Sequence, residues 1–232
     1  ASNTVIKNLY SGLMRVDKMG NVVCCNAKKY EVSPSGMVYT FTLKDDNFWF
    51  YDANDDDVIT EDEYFPVTAY DYAFALRRVL DPRMKSPYRE QFSCIVGAYE
   101  VMNGLEPLDF AEIHVDDEKT LKIVLNVPNA EFLQLMASPA AYPCNEEFFN
   151  STKGRYGLDD RSVMSNGAFF VRQWFYDPYG SNNILYMKRN DANWSETYDI
   201  MPSFLSFSIE DNEEAIRAVF KSNSANRAAN VA

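Results

Sequence analysis

Soft metal ligands and nucleophiles are scarce in this chain, which holds one histidine and four cysteines in 232 residues. Cys24, Cys25, Cys94 and Cys144 show no C-x-x-C or related zinc spacing, which excludes a zinc finger or ribbon. Adjacent Cys24 and Cys25 read as buried or strand residues rather than a reactive pair. His114 opens a strand among acidic neighbours with no Ser or Cys motif to serve, so it reads as a surface residue rather than a general base. Glycine is sparse, nine in all, and none lies in a phosphate-cradling loop or a G-x-S-x-G elbow. HExxH is also missing. The chain is not expected to be an enzyme.

Basic residues are also in the minority. Lys and Arg number 22 against 34 Asp and Glu, a net charge of −12, which argues against nucleic acid as a partner because phosphates need a basic surface. No apolar run approaches the length of a membrane span. The 47% hydrophobic and 15% aromatic content instead fits a folded globular protein with one sizeable core or two small ones. No internal repeat is present.

The most structured stretch runs from Pro66 to Tyr88, "PVTAYDYAFALRRVLDPRMKSPY". Thr68 with Asp71 three residues on is a short acidic version of the capping box. Ala69, Tyr72, Ala73, Leu76, Val79 and Leu80 then recur at helical spacing, and Asp81-Pro82 ends the helix. Before it, Asn3 to Leu9 suits a short helix, Lys18 to Asn21 a hairpin turn, and Ser33 to Gly36 a second turn. Tyr39, Phe41 and Leu43 alternate with polar residues as in a half-buried strand. After it, the pattern predicts a helix from about Glu90 to Asn103 with Phe92, Ile95 and Tyr99 inward and Gly104 ending it.

Further on, Leu121, Ile123 and Leu125 mark a strand, and Asn129 caps a helix bearing Phe132, Leu135 and Met136. Pro139 and Pro143 bracket an irregular crossing. Phe169 to Phe175 is apolar on both faces and reads as a central strand. A turn at Asp177 to Gly180 leads to a partner strand, Ile184 to Lys188. Leu205, Phe207 and Ile209 form one more strand, and a last helix starts at Asp211 or Asn212 and reaches Lys221. The stretch from 223 to 232 has neither periodicity nor large apolar residues and is expected to be disordered or a tail foreign to the rest of the chain.

The acidic stretch "DANDDDVITEDE" carries chemistry of its own. It places Asp52, Asn54 and Asp56 at positions 1, 3 and 5 of a twelve-residue calcium loop. Val58 supplies a carbonyl at 7, Thr60 stands at 9, and Glu63 is the acidic ligand at 12. Asp57 replaces the usual glycine at 6, a residue that tolerates left-handed backbone better than most. Calcium is therefore the expected cofactor. The plain alternative is a solvated acidic loop.

Several pieces resemble one family in register. They are "NLYSGLMRVDKMGNVV" from Asn8, "GMVYTFTLKDD" from Gly36, the run "PVTAYD", "DP" and "SPY", then "SNGAFFVRQW" from Ser165 and "MKRNDANW" from Met187. Together they resemble the oligopeptide- and dipeptide-binding solute-binding proteins of ABC importers. The resemblance implies an α/β lobe with a mixed sheet and packed helices over residues 1–222, one of two lobes that close on a ligand. It implies an extracytoplasmic monomer, anchored to the membrane as a lipoprotein in the full-length protein, that captures oligopeptides and passes them to an ABC permease. It also places the loops at Ser86–Tyr88 and Ala137–Tyr142 at the cleft, with Tyr88 and Ser138 as candidate ligand contacts. A nickel chelate or a sugar is an alternative ligand, and a calcium-stabilised adhesion module is the alternative from another class.

Overall fold

The computed structural model describes residues 2–54, 56, 60–175, 183–191, 193, 202–209, 214 and 217. Helix α1 (Ser2–Leu9) leads into a hairpin of β1 (Met14–Val16) and β2 (Val22–Cys24). The Asp17 carboxylate closes that turn by accepting from the backbone N–H groups of Met19 and Asn21, each at 2.8 Å. Strands β3 (Ala27–Val32) and β4 (Val38–Leu43) join through the Ser33–Gly36 turn, and β5 (Phe48–Phe50) and β6 (Tyr64–Pro66) flank the acidic stretch. Helix α2 (Ala69–Leu80), α3 (Ala98–Met102), β7 (Ile113–Asp117), β8 (Thr120–Val124), α4 (Phe132–Met136) and α5 (Glu146–Ser151) follow. Strands β9 (Phe169–Phe175), β10 (Asn183–Arg189) and β11 (Phe204–Ile209) complete the described elements.

Helix α2 starts where its capping box requires. The Thr68 N–H and hydroxyl both donate to Asp71 Oδ2, at 2.8 and 3.0 Å. The helix stops at Asp81, whose ψ of 118° is extended and which precedes Pro82. Its apolar face (Ala69, Tyr72, Ala73, Leu76, Leu80) is buried against the four-stranded sheet β3-β4-β8-β7. Tyr39, Phe41 and Leu43 supply the inner face of β4, and Tyr39 packs on Phe132 of α4 at 4.7 Å between ring centroids. Burying such side chains contributes roughly 1.5–3 kcal/mol each, and this is the main core. A smaller cluster of Leu9, Phe169, Leu185 and Met187 lies under the three-stranded sheet β11-β10-β9.

The α/β class stands, and the sheets differ from expectation in detail. Every pairing among the described residues is antiparallel, spread over four separate sheets rather than one mixed sheet. Among the described residues strand β9 lies at an edge of its sheet with β10 in the centre, rather than in the central place expected from the apolar run at Phe169. The helix expected over Glu90 to Asn103 is broken. A 3-10 turn (Arg89–Phe92) is separated from α3 by Ile95, which bridges to Leu125, and by Gly97 at φ 79°. A Cβ at Gly97 would stand 2.6 Å from the Phe110 carbonyl, so the close approach requires glycine there. Phe92 and Ile95 are buried as expected, whereas Tyr99 is 64% exposed.

The turn at Asp177 to Gly180 and the stretch from 223 lie outside the described residues. Of the expected last helix only Glu214 and Arg217 are described, and both are helical and exposed.

Candidate functional site

The two cleft candidates come from different segments. Tyr88 caps the 3-10 turn Arg89–Phe92, is 44% exposed, and its N–H donates to Ser86 Oγ at 3.3 Å. Beside it an open cavity of about 350 Å³ is lined by Lys85, Ser86, Pro87, Arg89 and Glu90. Ser138 sits between α4 and the 3-10 turn Pro139–Ala141, half-buried, with its hydroxyl oxygen enclosed and without a hydrogen-bond partner. Among the described residues no hydrogen bond or ring contact joins Tyr88 to Ser138.

What the fold does bring together is a buried seam of amides that the sequence reading missed. Asn166 accepts from the Ser11 N–H at 3.1 Å and donates to the Ser11 carbonyl and to Asn47 Oδ1, both at 3.0 Å. Asn47 donates back to the Asn166 carbonyl at 3.0 Å. Asn193 accepts from the Phe48 N–H and donates to the Phe48 carbonyl, each at 2.7 Å, and Asn190 donates to the Gly167 carbonyl at 3.2 Å. Tyr72 of α2 joins from the other side, receiving Asn26 and donating to the Ser11 carbonyl. All five asparagines are fully buried. The seam therefore ties the main core to the three-stranded sheet through side chains that hydrogen-bond inside the protein, Asn26 Oδ1 alone among those named being enclosed without a partner.

Next to it stands an aromatic cluster. The Tyr10 and Tyr156 hydroxyls are 3.2 Å apart. Burial pushes the Tyr10 phenol up to about 12 and Tyr156 well above its ordinary value. The Arg78 guanidinium lies 4.3 Å from the Phe149 ring centre and 5.2 Å from that of Tyr156, and it donates to Cys144 Sγ at 3.1 Å. Burial also raises the Cys144 thiol. Protonated phenols, a protonated thiol and a guanidinium can stack and donate hydrogen bonds but do not attack a substrate.

Of the proposed calcium ligands, Asp52, Asn54, Asp56, Thr60 and Glu63 are described, whereas Val58 lies outside the described residues, as do Asp57 and Ile59. The Asp56 N–H faces Asp52 Oδ1 at 3.3 Å and Asn54 Oδ1 at 3.1 Å. Glu63 Oε2 accepts from the N–H and hydroxyl of Thr60, at 3.2 and 2.9 Å. Among the described residues no three Asp, Glu, His or Cys side chains gather as a metal-binding group. His114 pairs with Glu112 on the surface, and none of the four cysteines is in a disulfide.

The seam runs through the motifs quoted from Ser165 and Met187, and the match to known proteins covers the same ground. A family described as bacterial extracellular solute-binding proteins, family 5 Middle, matches residues 21–230. The chain belongs to that family. It is 32% identical over 195 residues to the oligopeptide-binding protein OppA of Bacillus subtilis, covering 84% of this chain and 33% of that protein. It is 29% identical over 171 residues to a dipeptide-binding protein of Lactococcus lactis, covering 74% and 29%.

Among solved structures it is similar to the substrate-binding domain of an oligopeptide ABC transporter from Bacillus anthracis, with TM-score 0.81, 26% identity, and 95% of this chain on 39% of that one. Listeria monocytogenes OppA bound to peptide shares the fold, with TM-score 0.80, 24% identity, and 94% of this chain on 40% of that one. The chain thus spans about a third of the length of the curated family 5 relatives it matches. In family 5 terms, "NLYSGL" and "SNGAF" meet each other at Ser11 and Asn166, so these motifs act here in holding the lobe together.

Proposed function

We propose that this chain is part of a binding protein that captures oligopeptides outside the cytoplasm and delivers them to an ABC permease. The membership of family 5 over residues 21–230 carries the reading, and relatives named for oligopeptide and dipeptide binding support peptide as the ligand. Capture between closing lobes needs no bond chemistry, so the protein is a carrier and not an enzyme. It works as a monomer held at the membrane by a lipid anchor, with no nucleic-acid partner. Tyr88 at the rim and Ser138 on the crossing contact the peptide. An enclosed serine hydroxyl without a partner is suited to a ligand amide, and an exposed tyrosine offers apolar area with a polar tip.

Titration calorimetry with short peptides tests this on the longest natural form of the protein that contains the chain. Tyr88→Ala is expected to weaken peptide binding by roughly 1–2 kcal/mol, the loss typical of an interface aromatic. It should leave the melting temperature of the free protein almost unchanged, because Tyr88 is half-exposed. A lower melting temperature with no separate loss of affinity would make Tyr88 a structural residue.

A further inference from the structure

We infer that the cavity beside Tyr88 receives a carboxylate of the bound peptide, from an acidic side chain or from the C-terminus. This rests on the peptide-binding reading above and adds the ligand's charge to it. The chain as a whole is acidic, at −12, yet from Arg77 to Arg89 it carries five cations and one carboxylate, Asp81. The Tyr88 loop thus lies in a basic patch on an acidic protein, and such a patch draws anions toward it.

The five cations are not equivalent. Arg77 donates to the Ile113 carbonyl at 2.7 Å, Arg78 lies over the Phe149 and Tyr156 rings, and Arg83 pairs with Asp81 at 2.7 Å. Lys85 and Arg89 are the two that line the cavity, with Ser86, Pro87 and Glu90. Among the described residues Lys85 enters no ion pair. Glu90 engages only the Nε of Arg89, at 3.3 Å, which leaves both terminal amino groups of that guanidinium without a partner among the described residues. A guanidinium fork of this kind matches a carboxylate through both oxygens.

The backbone favours the same reading. Lys85 stands at φ 49° and ψ 38°, in the left-handed region, where a lysine is strained and a glycine would not be. Strain of this kind gathers at ligand-holding segments, where the surroundings keep it in place. Pro82 and Pro87 fix φ on either side of Lys85, so the cationic loop keeps its shape before a ligand arrives. At about 350 Å³ the cavity lies at the small end of ligand sites, which run from roughly 300 to 1,000 Å³. It suits one side chain or terminus rather than a whole peptide.

Titration calorimetry on the longest natural form of the protein tests this with one neutral peptide, amidated at its C-terminus, and single Glu and Gln replacements scanned along it. The same neutral peptide with a free C-terminus is the second arm. Either Glu at one position should bind about five- to ten-fold more tightly than Gln there, or the free terminus should bind more tightly than the amide by a similar factor. That is the gain expected of a charge-assisted hydrogen bond at a partly exposed site. The first result assigns the carboxylate to a side chain, the second to the terminus. The preference should shrink at high salt. Lys85→Gly should remove most of it without lowering the melting temperature, because glycine takes the left-handed backbone freely. Arg89→Gln should reduce it as well, and Lys85→Arg should keep it. Equal binding of acidic and neutral peptides, or a preference untouched by both Lys85→Gly and Arg89→Gln, would overturn the inference and leave peptide capture standing. A protein that binds none of the peptides would overturn both.

Discussion

Asn166→Ala should lower the melting temperature by about 10 °C. The amide makes three buried bonds, and truncation leaves the Ser11 N–H and Asn47 Oδ1 without partners. A buried polar group stripped of its partner costs ~1–3 kcal/mol, so two of them, with the small cavity, sum to roughly 4 kcal/mol. For a chain of this size each kcal/mol is worth ~2–4 °C. Asn103→Ala is the control, since Asn103 is exposed and its side chain bonds only the Tyr99 carbonyl at the end of α3. It should shift the midpoint by no more than ~2 °C. Calorimetry that finds the two variants alike would show that the seam contributes no more than a surface contact.

Gly167→Ala should be nearly as damaging, for a steric reason. A Cβ at Gly167 would stand 2.7 Å from Leu9 C and Tyr10 N and 2.8 Å from the Leu9 carbonyl oxygen. These are backbone atoms of the segment leaving α1, and Gly167 itself donates to that carbonyl at 2.9 Å. No side-chain rotation can make room, so α1 and β9 must separate. Overpacking of this kind costs ~3 kcal/mol or more, a loss of roughly 6–12 °C. Gly12→Ala also meets a close neighbour, at 2.7 Å, but that neighbour is the Tyr142 ring, which can tilt. Its loss should be the smaller of the two. Equal melting temperatures for Gly167→Ala and the parent would mean that the chains do not approach as described.

Local signals in the sequence carried most of the secondary structure. The Thr68–Asp71 box, the Asp81-Pro82 stop and the alternation of Tyr39, Phe41 and Leu43 act within a few residues, and each element formed where its signal lay. The failures involved distant partners. The run from Glu90 has helical periodicity, but Ile95 pairs with Leu125 and Gly97 fits against Phe110. Neither contact leaves a trace in spacing. Strand β9 looked central because apolar residues on both faces mark burial, and burial came from α1 and the smaller core rather than from a strand on each side.

The seam was hidden for a related reason. Asn47, Asn166 and Asn193 lie 119 and 27 residues apart in sequence, and an asparagine beside a glycine or an aromatic reads locally as a turn. Their burial follows only when three segments meet. The motif match pointed to the right residues without saying what they do. Tyr88 and Ser138 rest on the same kind of pointer, joined by an enclosed, unpartnered hydroxyl at Ser138.

The most direct test of peptide capture is the ligand the protein already carries. Purified from cells in its longest natural form, denatured and analysed by mass spectrometry, it should release short peptides in near-stoichiometric amount. The same peptides, added back, should raise its melting temperature. Release of a sugar or a metal chelate in place of peptide, with stabilisation by that compound and not by peptides, would contradict the account.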